Sequence, residues 1–218
     1  MNPNENQQLD NAGDSQGLAK DTAVRKRPKP GERRVQILQA LAEMLEHPQG
    51  DRVTTAALAA KIQVSEAALY RHFASKAQMF DGLIGFIEQS IFGLINQIVA
   101  REEDGRAQIQ GIVLMLLGFA EKNSGMTRVL LGDALFQEDA RLHERINQVL
   151  ERVEASLKQS FRIMQTQKNL SLTPDDIPYR SALVMAYVIG RWHRFARSGF
   201  KKSPLDGAPN SLNILLAV

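Results

Sequence analysis

RVTTAALAAKIQVSEAALYRHFASK, residues 52–76, is the stretch whose reading decides the fold. It divides into two short helices around a tight turn and the entry to a third helix. Thr54 or Thr55 can cap the first helix and Ser65 the second, because a short hydroxyl side chain accepts from the unpaired amides of a first turn. Leu58, Ala59 and Ile62 form one apolar face, Val64 anchors the turn, and Ala68, Leu69 and Phe73 continue the core. That spacing is a helix-turn-helix, whose second helix fits the major groove of duplex DNA.

The motif's chemistry assigns contact residues. Thr54 and Thr55 start a helix, so their hydroxyls and amides face an incoming phosphate, which the positive end of the helix dipole favours. Ser65, Glu66, Ala67 and Ala68 open the recognition helix, where base edges are nearest. Glu66 either accepts from cytosine N4 or serves only as a first-turn charge, and Ala67 or Ala68 can touch a thymine methyl. Arg71 reaches phosphate or guanine, and Arg33 belongs to the same contact set.

VSEAALYRHFASK (64–76) resembles the recognition helix and following helix entry of TetR-family regulators, at Val64, Ser65, Leu69, Tyr70, His72, Phe73, Ser75 and Lys76. Ala67-Ala68 departs from the Gly-Thr of many members, which removes one phosphate-contacting hydroxyl. The resemblance implies that Tyr70, His72 and Lys76 contact phosphate. It also implies a homodimer, paired through its last two long helices, on palindromic double-stranded DNA. For Tyr70 a half-buried place in the head is the alternative.

Charge supports the same segment. Residues 1–19 hold three acids and no base, 20–76 hold eleven Lys/Arg against six Asp/Glu, and the remainder sixteen against fifteen. Positive charge therefore gathers where phosphate attraction requires it. The polar start, to about residue 28, has too little apolar content to fold and is expected to be disordered. Arg25-Lys26-Arg27-Pro28-Lys29-Pro30 reads as a basic arm, either a tether along phosphates or a solvated linker. There is no cysteine, so disulfides and thiolate metal sites are excluded. The longest apolar run, Gly111 to Ala120, is about half of the ~20 residues that cross a bilayer. A cytoplasmic, nucleoid-associated protein without membrane attachment is expected.

Period-3.6 patterns place helices at about Glu32–Glu46, Ser75–Ala100, Ala107–Lys122, Met126–Leu131, Glu138–Gln167, Pro174–Arg197 and, at the end, Ser211–Val218. No strand alternation or repeat is present. The fold class is all-α: a basic arm (1–30), a three-helix helix-turn-helix head (31–76) and a helical dimerisation and regulatory domain (77–218). The helix after the motif carries Gly82, Gly85 and Gly93, each costing roughly 1 kcal/mol against alanine. Close approach of another helix, or a peptide groove walled by the off-stripe Phe86, accounts for them.

The stretches at 62–91, 112–135 and 146–162 resemble the nucleoid occlusion factors, a proteobacterial group within the TetR family. That resemblance implies inhibition of division-ring assembly over the chromosome. The C-terminal tail of the tubulin-like cell-division GTPase would bind a groove whose positions fall on Phe86, Leu94, Met115, Gly118, Lys122 and Asn123. Leu94 and Lys122 stand where the group has arginines. A ligand-released repressor of a nearby gene is the alternative. No cofactor is expected. An enzyme is not expected, since no phosphate loop, dinucleotide glycine pattern or nucleophile motif is present. His47, His72, His143 and His193 are scattered, and the Asp139–His143 pair on one helix face lacks further metal ligands.

Overall fold

The computed structural model describes residues 31–46, 53–135, 138–168 and 173–217. The basic arm, the polar segment before it and residues 47–52 lie outside the described residues. Those described form helices and no strand: α1 (Glu32–Met44), α2 (Thr55–Lys61), α3 (Glu66–Tyr70), α4 (Lys76–Arg101), α5 (Gly105–Lys122), α6 (Ser124–Leu130), α7 (Arg141–Lys168), α8 (Asp176–Arg197) and α9 (Ala208–Leu215), with a 3-10 turn at Asp133–Leu135. The all-α expectation holds.

In the head, α1 buries Ile37, Leu38, Leu41 and Ala42 against α2 and α4. Val35, in the first turn of α1, is 40% exposed. Leu58, Leu69 and Phe73 close the small head core, each about 1% exposed or less. Burying side chains of this size contributes about 1.5–3 kcal/mol each.

Helix α4 leads from the head into the body. Its stripe of Met79, Phe80, Leu83, Ile84, Ile87, Ile91 and Ile95 is buried. By length and composition alone this helix could cross a bilayer, but its stripe is the seam against α1, α5 and α7. Helix α5 is central, packed by α4, α7, α8 and α9, as its nearly continuous apolarity predicts.

Two glycines set close helix contacts. A Cβ on Gly105 would stand 2.3 Å from the backbone nitrogen of Met164, so only glycine lets α5 start against α7. A Cβ on Gly125 would stand 2.0 Å from the Ala42 carbonyl oxygen, so α6 abuts the end of α1. Arg128 adds a bond from Nη1 to the Leu45 carbonyl at 3.1 Å. Head and body are thus joined by α6 as well as by α4. Two buried polar pairs tie the body together: Ser160 Oγ donates to Gln108 Oε1 at 2.8 Å, and Trp192 Nε1 to the Leu116 carbonyl at 3.2 Å, whereas the buried Tyr187 hydroxyl has no partner among the described residues.

Several boundaries differ from the sequence expectation, each for a local reason. Helix α5 starts at Gly105, before Ala107, because Asp104 Oδ1 accepts from Ala107 N at 2.9 Å. Helix α6 starts at Ser124, ahead of Met126, directly after the turn at Asn123. Helix α7 starts at Arg141, three residues after Glu138. Glu138 reaches back to Lys76, and Asp139 Oδ1 takes up the Arg141 amide at 3.0 Å. Thr173 does not cap α8. Its amide and hydroxyl both donate to Asp176 Oδ2, at 2.9 and 2.7 Å, and the helix begins at Asp176 instead of Pro174. Helix α9 begins at Ala208, three residues early, with Pro209 in its first turn.

Candidate nucleic-acid interface

The hydroxyls of the motif act first as helix caps. Thr54 Oγ1 accepts from Ala57 N at 3.1 Å, Ser65 Oγ from Ala68 N at 3.2 Å and Ser75 Oγ from Gln78 N at 3.1 Å. Thr55 is not the cap; its hydroxyl donates to Glu66 Oε2 at 2.6 Å and ties the start of α2 to the start of α3. Glu66 is therefore more than a first-turn charge, since it also braces the two motif helices. Gln63 takes φ 57 in the turn between them, a left-handed backbone rarely adopted outside glycine.

On the outer side of this pair, Ala67, Tyr70, Arg71 and His72 are exposed, and Ala68 is half-buried. Tyr70 is 46% exposed, so it is partly covered by the head and still presents a surface for contact. Arg33 is half-buried on the first turn of α1. Its neighbour Arg34, not singled out from the sequence, stacks 4.0 Å from the Phe73 ring and donates from Nη1 to the His72 carbonyl at 2.7 Å. It pins the end of the recognition segment to α1. A cation one turn before an apolar stripe was the available signal.

Lys76, which the resemblance implies on phosphate, is engaged within the chain in this structure. Its Nζ lies 2.5 Å from Glu138 Oε1, with the two side chains 24% and 13% exposed. Asp139 does not pair with His143. It binds Arg141, whose guanidinium and amide hold the Asp139 carboxyl below its usual range. His143 lies against Gly132.

The second set of expected residues lies on α4 and α5. A Cβ on Gly111 would touch Ile98 Cγ2 at 3.0 Å, which fixes the antiparallel register of the two helices. Stepping along both from that contact brings Leu94 level with Met115, and Phe86 level with Asn123. Leu94 is 37% exposed, Lys122 is exposed, and Phe86, Met115, Gly118 and Asn123 are half-buried. Asn123 Nδ2 donates to the Phe119 carbonyl at 2.7 Å. The three glycines of α4 divide. Gly82 admits Phe73, whose Cε1 would lie 2.8 Å from an added Cβ, whereas Gly85 and Gly93 face open space. Close packing thus explains one of the three.

A capped helix-turn-helix with an exposed basic and aromatic edge, carried on a helical body, defines a DNA-binding regulator of the bacterial helix-turn-helix type. Comparison with known proteins agrees. Residues 37–83 match the family described as bacterial regulatory proteins, tetR family, and residues 103–216 the tetracyclin repressor-like C-terminal domain. The nucleoid occlusion factor SlmA of Alteromonas mediterranea is 51% identical over 174 residues, covering 80% of this chain and 89% of that one. SlmA of Marinomonas sp. is 49% identical over 187 residues, covering 86% and 94%. The fatty acid degradation regulator FadR of Bacillus halodurans shares the fold, with TM-score 0.72 at 16% identity, covering 87% of this chain and 97% of that one. The chain belongs to the TetR family and, within it, to the nucleoid occlusion factors.

Proposed function

We propose that the protein works as a homodimer, its two heads reading the halves of a palindromic duplex while the α4–α5 face captures an extended tail of the tubulin-like division GTPase. Its place is then the nucleoid, within the cytoplasm. The observation that carries this reading is the 51% identity to a nucleoid occlusion factor across 80% of the chain, head and body alike.

Roles in the head follow from position. Thr54, Thr55, Ser65, Tyr70, His72 and Lys76 contact phosphate, and Glu66, Ala67, Ala68 and Arg71 lie against base edges. Arg33 steadies the head on the backbone. Dimer formation is supported by the outer face of α8. Tyr179 is 73% and Leu183 60% exposed, and Ala182, Ala186 and Gly190 lie exposed beside them. An apolar and small-residue stripe of this kind on a two-helix face suits a four-helix bundle with a second copy.

The α4–α5 face offers an apolar floor of Phe86, Leu94 and Met115, ended by the Lys122 cation. That combination suits an extended segment with apolar anchors and acidic residues. Lys122 supplies a point charge without the planar fork of an arginine.

Light scattering by the polymerised division GTPase tests the proposal. The protein with palindromic duplex lowers the polymer signal, and Phe86→Ala with the same duplex leaves it intact. A DNA-bound wild type without effect on polymer contradicts the partner assignment.

A further inference from the structure

Between Ile177 and Leu205 the chain carries six Lys/Arg and no Asp or Glu. Counted over the whole C-terminal region this concentration disappears, but the fold gathers it at one end of α8. Arg191 is used internally: its Nε donates to the Pro204 carbonyl at 2.9 Å and its Nη2 to the Asp206 carbonyl at 2.5 Å. Arg194, Arg197, Lys201 and Lys202 remain exposed around a cleft of about 480 Å3. None of the four takes part in an ion pair among the described residues.

The backbone is bent to assemble them. Gly199 and Phe200 take φ 65 and 61, and left-handed backbone is uncommon for a phenylalanine. The Phe200 ring packs edge-on against Phe195, with centroids 5.0 Å apart. Ser198 Oγ accepts from the amides of Lys201 and Lys202 at 3.0 and 2.9 Å. The chain therefore folds back, and both lysines return to the side of Arg194 and Arg197. The carbonyls at the end of α8 are already taken by the amides of Ser198, Gly199 and Phe200, so these cations are not needed to cap the helix.

The cluster lies on the side of the body that faces the heads. Ile189 and His193 of α8 share a cavity with Leu130–Gly132, at the end of α6, and α6 abuts α1. The start of α7 is on the same side, since Arg145 reaches Asp81 at 4.0 Å, near the head end of α4.

We propose that Arg197, Lys201 and Lys202, with Arg194 beside them, form a second, sequence-independent contact for the phosphodiester backbone of duplex DNA. No aliphatic or phenyl side chain lines the cleft. A protein partner needs apolar or aromatic anchors for most of its affinity, whereas phosphate is held by charge alone. The head-side position lets these cations reach flanking duplex or a second segment of it.

The test compares the wild type with the triple variant Arg197→Ala/Lys201→Ala/Lys202→Ala, binding a random-sequence duplex across a salt series. These residues lie past the apolar stripe of α8, and helix content and dimer mass of the variant are measured in parallel. The expected result is weaker binding and a log–log salt slope shallower by about two to three units. Lys201→Arg/Lys202→Arg should keep the wild-type slope, and the heads should keep their preference for a palindrome over random sequence. An unchanged slope in the triple variant overturns the proposal. So does loss of poly-glutamate binding with the DNA slope intact, which would make the cleft a protein site. A change in dimer mass overturns it as well, by making the cluster a subunit contact.

Discussion

The head and the α4–α5 face are built on different logic. In the head, the polar residues that make the fold are also those proposed to meet DNA: Thr54 and Ser65 cap their helices, and Thr55 and Glu66 brace α2 against α3. On the α4–α5 face the core is finished by the inward stripe, and Leu94 and Lys122 lie outside it at the surface. Function in the first region is bound to stability, whereas in the second it is free to vary.

The largest expected effect breaks both regions at once. Leu183→Arg places a charge in the unpartnered stripe of α8. Analytical ultracentrifugation should then show a monomer, and affinity for an inverted repeat should fall by a hundredfold or more, to that of one head. Next comes the joint between the regions. Gly125→Ala drives a Cβ against the Ala42 carbonyl and should lower thermal stability by about 1–3 kcal/mol, as overpacking does. Gly93→Ala, in open space on α4, should raise it by up to about 1 kcal/mol.

A subtler pair of outcomes separates the two regions. Lys122→Glu should abolish the effect on division polymer while leaving duplex affinity unchanged in a gel-shift titration. Glu138→Gln should act in the opposite sense. It frees Lys76 for phosphate, so binding should tighten on every sequence and the salt slope should steepen by about one unit. The smallest effect is local. The Asp176 carboxyl is held below its usual range, first by the Thr173 hydroxyl and then by the Thr173 amide. Its contribution to the start of α8 is complete above the unfolded value near ~3.9 and is lost as pH falls through the lower folded value. Amide exchange at Ile177 should therefore rise only below about pH 4.

Most of the fold is legible along the chain because its determinants are local. Caps three residues from the amides they serve, and stripes at helical spacing, place every helix to within a few residues. Errors fall where a distant partner or a reversed cap intervenes. Glu138 is drawn from α7 by Lys76, sixty-two residues away, and Asp176, not Thr173, supplies the accepting oxygen at α8. The helix caps of the head are legible for the same local reason. The α4–α5 residues are not, because exposure on an otherwise apolar helix depends on what packs beside it. The basic end of α8 needed the left-handed turn at Gly199–Phe200 to bring Lys201 and Lys202 back.

Selection of bound duplexes from a random pool tests the paired heads most directly. The expected result is enrichment of an inverted repeat whose half-sites are centred about one helical turn, ~34 Å, apart. Enrichment of a single unrepeated element, or of none, would contradict it.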